Sequence, residues 1–158
     1  VISGAAISAG AENFDNRYEM TVFGDSFDIQ FFTANDLAGA IQRIEDLPNT
    51  RPNRFTNANN LCVAHTQLGD FTQAAVHCDE AVKLGKFAAR ITMNGAEGKR
   101  DYATALTNRG VLKALSEQHA DAIADFDRAI SFKIGADAAR KNLVAVQEDR
   151  DALVASVD

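Results

Sequence analysis

The most regular feature of this chain is a set of apolar positions three and four residues apart. Leu61, Ala64 and Leu68 fall on one face of a helix, and Ala74, Cys78, Ala81 and Val82 on one face of the next. Gly69-Asp70 stands between them, a glycine placed as helix C-caps place it. The pattern returns downstream. Under the shift that carries Asn60 to Asn108, Val63 meets Val111, Ala74 meets Ala122, Cys78 meets Phe126, Ala81 meets Ala129 and Val82 meets Ile130. Such self-similarity is the signature of stacked repeats. Each segment, Asn60 to Leu84 and Asn108 to Phe132, reads as two helices joined by a tight turn.

The flanks are less regular. Leu37, Ala40, Ile41, Ile44 and Leu47 predict a helix that Asn35 or Asp36 would cap. Upstream, Tyr18, Met20 and Val22 alternate, and so do Phe27, Ile29 and Phe31. The segment fits the degenerate first helix of a repeat and equally a β-hairpin turning at Gly24-Asp25. Residues 137–158 have room for one closing helix. The only prolines are Pro48 and Pro52, so the chain beyond them is free of the main helix breaker.

Composition narrows the function classes. The 158 residues carry a net charge of -6 and the pI is near 5.0. No basic run offers the counterion exchange that nucleic acid binding needs, and an acidic membrane surface would be repelled. No stretch approaches the roughly 18 to 20 apolar residues that cross a bilayer, so no membrane insertion is expected. Residues 1–20 read as a tail, and its Ala9-Gly10-Ala11 is like a signal-peptidase site. The expected location is periplasmic or secreted, with the cytoplasm as the alternative.

Gly69, Phe71, Ala74 and Ala81 in the first segment, with Gly110, Ala122, Phe126 and Ala129 in the second, resemble the tetratricopeptide repeat family, whose unit has about 34 residues. The run AIADFDRAI from Ala122 to Ile130 is similar to that family's second helix. The second copy departs at its turn, where Glu117 replaces the glycine and His119 the aromatic. The resemblance spans residues 55–136 and implies an all-α fold. Antiparallel helical hairpins would stack as a short right-handed α-solenoid, with a small irregular or β-hairpin N-terminal segment. Residues 21–54 would be a degenerate repeat or a hairpin plus helix, 55–88 and 103–136 the two repeats, and 137–158 a capping helix. Residues 89–102, with Gly95 and Gly98, are then an insertion: a lengthened helix plus loop, or a flexible segment. So few repeats bury their faces poorly, so the flanking helices must dock or the chain must form a homodimer.

The resemblance also implies a non-catalytic module that binds a peptide or protein segment in a concave groove. Asn60, Asn108 and Asn142 fall at a groove-facing place of that family. A primary amide donates and accepts, so it can clamp a peptide backbone whatever the sequence. The alternative is that these asparagines orient neighbouring repeats. Thr56, Asn59, Val63, Thr104, Thr107, Val111, Lys141 and Ala145 would be their groove neighbours. A clamp for a terminal carboxylate is disfavoured by Val63, which stands where a polar group is needed. Cys62 and Cys78 fall on facing sides of one hairpin, to be joined by a disulfide or buried as two thiols. His65 and His77 beside them would complete a zinc set, but packing explains both, and neither a metal nor a cofactor is expected. Glu117, Asp121, Asp125 and Asp127 read as a solvated face. No nucleophile elbow, phosphate loop or metal motif is present, so an enzyme is not expected. The competing class is an assembly protein whose partner is itself or a fixed complex.

Overall fold

The computed structural model describes residues 3–7, 14–48, 50, 52–91 and 95–156, with backbone alone for 3–7. The Ala9-Gly10-Ala11 run lies outside the described residues. Two strands come first, β1 (Ser3–Ile7) and β2 (Met20–Gly24), and seven helices follow: α1 (Ser26–Thr33), α2 (Leu37–Glu45), α3 (Arg54–Leu68), α4 (Phe71–Ile91), α5 (Ala96–Leu115), α6 (His119–Ser131) and α7 (Asp137–Ala155). Among the described residues the fold is all-helical apart from that one antiparallel pair, in which Ser3 faces Gly24 and Ile7 faces Met20. From α3 to α7 each helix packs on the next.

The alternation at 27, 29 and 31 does not make a second hairpin arm. Asp25 accepts from the N–H groups of Phe27 and Asp28, which satisfies orphan donors of a helix N-terminus. Phe27 and Phe31, four apart, then meet edge to face at 5.7 Å on one side of α1. Asp36 caps α2 in the same way through the Gly39 N–H.

The segment at 89–102 is mostly helix. It lengthens α4 and α5, which run antiparallel and approach backbone to backbone. A Cβ on Gly98 would lie 2.6 Å from the Ala88 carbonyl carbon, and one on Gly85 would lie 2.8 Å from the Tyr102 Cα. Glycine is what permits this approach.

The core runs from Tyr18, Met20 and Val22 through Leu61, Val63, Val111 and Phe126 to Val146. Asp125 is not on a solvated face. Only 6% of it is exposed, and it lies 2.8 Å from both Arg109 and Lys113. On α6 it falls next to Phe126, on the side turned toward α5. No helix among the described residues is long and apolar enough to cross a membrane.

Candidate functional site

Strand β2 and the residue before it lie across α3, α5 and α7, and three asparagines hold them. The Glu19 N–H donates to Asn142 Oδ1 at 2.7 Å, and Asn142 Nδ2 donates to the Glu19 carbonyl at 2.7 Å. Two residues on, the Thr21 N–H donates to Asn108 Oδ1 at 2.9 Å and Asn108 Nδ2 returns a bond to the Thr21 carbonyl at 2.8 Å. Two further on, Phe23 exchanges the same pair with Asn60, at 2.9 Å and 2.5 Å. An extended chain turns the N–H and C=O of every second residue to the same edge. Each asparagine amide therefore stands in for the N–H and C=O of one residue of a neighbouring strand. The opposite edge of β2 faces β1.

A second layer of amides braces the first. Asn59 Nδ2 donates to the Thr21 carbonyl and to Asn60 Oδ1, and Asn108 Nδ2 donates to Asn59 Oδ1. Asn59, Asn60, Asn108 and Asn142 are all buried. Buried amides are costly to leave unpaired, so this network admits few other arrangements.

Side chains along the strand divide by parity. Tyr18, Met20 and Val22 are buried. Glu19, Thr21 and Phe23, of which Phe23 is also buried, line a cavity of about 320 Å³ with Arg100, Asp101 and Thr104. Burial, followed by the charge of Glu97, pushes the Asp101 carboxyl up to about 6. The N-terminal end of the strand is anchored by charge. The Tyr18 hydroxyl donates to Asp149 at 2.6 Å, Arg17 pairs with Asp149 at 2.7 Å, and Lys141 pairs with Glu19. Burial and the bond to Asp149 raise the Tyr18 phenol, and Arg17 holds Asp15 below the usual carboxylate range.

The structure thus brings Asn59, Asn60, Asn108, Asn142 and Lys141 onto one strand, and that strand belongs to this same chain. Val63 and Val111 are fully buried beside them, and Thr104 lies at the cavity. Thr107 turns its hydroxyl to the Ala103 carbonyl of its own helix, and Thr56 contributes no hydrogen bond to the strand. Cys62 and Cys78 form a disulfide, so neither supplies a thiolate for a metal. His65 and His77 stack at 5.4 Å. Tyr18, Asp149 and the strand's own backbone were not among the sequence-derived candidates. The alternation at 18, 20 and 22 was the available signal for the strand. Nothing local signalled Asp149. No family model, curated protein or solved structure matches this chain.

Proposed function

We propose that this chain is a non-catalytic interaction module, a short tetratricopeptide-type solenoid whose concave groove grips an extended protein segment by its backbone. The observation that carries the reading is the ladder: three asparagines, one on each of three helices, each exchange a donor and an acceptor with alternate residues of one strand. Such a clamp reads main chain and leaves side-chain choice to the pockets beside it. In the closed form the groove holds its own residues 19–23, and a partner strand replaces them. The disulfide supports an oxidising compartment, periplasmic or secreted.

The occupant's being the chain's own segment also favours a second reading, in which copies of the chain exchange this strand and assemble. One variant separates the two. Thr21→Pro removes the N–H that Asn108 accepts and loosens the internal strand while leaving the helices intact by circular dichroism. Under the first reading it takes up a fluorescein-labelled peptide of residues 16–25, and adding Asn108→Ala weakens uptake about tenfold. A helical Thr21→Pro chain that ignores the peptide sinks the groove reading. A dimer in size-exclusion chromatography without peptide transfers the assignment to self-assembly.

A further inference from the structure

The lengthened part of α4 carries a surface unlike the rest of this acidic chain. Lys83, Lys86, Phe87, Arg90 and Ile91 follow at helical spacing along one exposed stripe. Phe87 is 61% exposed and Ile91 60%. Beside them is a cavity of about 500 Å³ lined by Asp79, Val82, Lys83, Lys86, Phe87, Arg90 and Arg109. Its apolar lining is Val82 and Phe87, and around these stand four cations and one carboxylate. That carboxylate, Asp79, is already engaged by Arg109 at 2.9 Å, and Arg109 is held in turn by Asp125. Among the described residues the carboxylate partner of Lys83 is Glu80 of its own helix, at 3.5 Å. Lys86 and Arg90 have no carboxylate partner among the described residues.

We propose that this cavity is a second binding site, separate from the groove, and that it docks an acidic protein segment bearing an apolar side chain. Lys86 and Arg90 lie about one helical turn apart, with Phe87 between them in sequence. A partner helix with carboxylates three or four apart can meet both cations while its apolar residue enters the cavity over Phe87 and Val82. Nucleic acid fits less well, because the remainder of a chain with net charge -6 would repel a long polyanion. A membrane fits less well because the exposed apolar side chains of the stripe are only Phe87 and Ile91, whereas interfacial helices bury a continuous apolar face.

The test uses the full chain and a fluorescein-labelled peptide in which glutamates alternate with leucines at helical spacing. Anisotropy is expected to show binding that falls as salt rises from about 50 to about 500 mM. Lys86→Glu with Arg90→Glu is expected to weaken it at least about tenfold, and Phe87→Ser several-fold. All three side chains are exposed, and thermal melts confirm that the variants fold. A peptide with serine for leucine should bind weakly, and one with lysine for glutamate not at all. The proposal is overturned if the wild-type chain ignores the acidic peptide, or if the variants bind it as tightly. It is equally overturned if phosphatidylserine vesicles or oligothymidylate bind as well as the peptide and are lost in the same variants, since the stripe would then be a general anion surface.

Discussion

The hairpins α3–α4 and α5–α6 solve one packing problem with different chemistry at equivalent places. In the first, Cys62 and Cys78 close the space between the helices with a covalent bond. In the second, Gly110 admits the ring of Phe126, and a Cβ there would lie 2.5 Å from the ring. Where His65 stacks on His77, Lys113 pairs with Asp125. Where Gly69 turns the chain at φ 78, Glu117 does so at φ 62, and the residue after each turn returns an N–H to the preceding helix, Asp70 to His65 and Gln118 to Lys113. The geometry is common while the sources of stability are not. The first hairpin therefore answers to redox state and pH, and the second to packing and ion pairing.

The sharpest way to break this comparison is Phe126→Ala. It empties a fully buried site and should cost about 3 to 5 kcal/mol in urea unfolding. Reduction of Cys62–Cys78, which are separated by 16 residues, should cost about 3 kcal/mol, and dithiothreitol should have no such effect on a chain already carrying Cys62→Ala and Cys78→Ala. Asp125→Asn leaves Arg109 and Lys113 without their shared carboxylate. Both are partly exposed, so about 2 kcal/mol is expected, and the difference should be smaller at high salt than at low. A pH series sharpens the contrast further. Burial, and after it the charge of His65, holds the His77 imidazole below its ordinary 6.5. The unfolded chain therefore takes up a proton near pH 6.5 that the folded chain refuses. The contribution of His77 to stability is constant above that pH and falls as pH drops through it, and His77→Gln should remove that slope. The smallest effect belongs to Glu117→Gly, which relieves a left-handed residue but frees the unfolded chain. A gain below about 1 kcal/mol is expected.

The helices were legible because their signals are local. Leu61, Ala64 and Leu68 mark a face, and Gly69 marks an end. The likeness of Asn60 to Asn108 was legible from the internal shift, and that of Asn142 from its place in the last helix. What those amides hold was not legible, because Glu19, Thr21 and Phe23 lie 123, 87 and 37 residues from their partners and no periodicity links them. The Phe27 to Phe31 alternation left a helix and a hairpin arm both open. Two phenylalanines four apart fit both a strand face and a helix face, and the decision rested on the cap made by Asp25. Asp125 was read as exposed for a related reason. A run of acidic residues looks solvated until the cations of the facing helix are placed.

The amide ladder has a degeneracy of its own. Because its six bonds touch only main chain, sliding the strand by two residues in either direction would restore every one of them, as a vernier falls back into coincidence at each division. The phase of the strand is stored elsewhere. A slide one way would move Gly24 into the place of Val22 and empty it, and a slide the other way would put Asn16 where Tyr18 meets Asp149. The three asparagines set which edge of the strand is held, while Tyr18, Asp149 and the Lys141–Glu19 pair decide which residues of it are held.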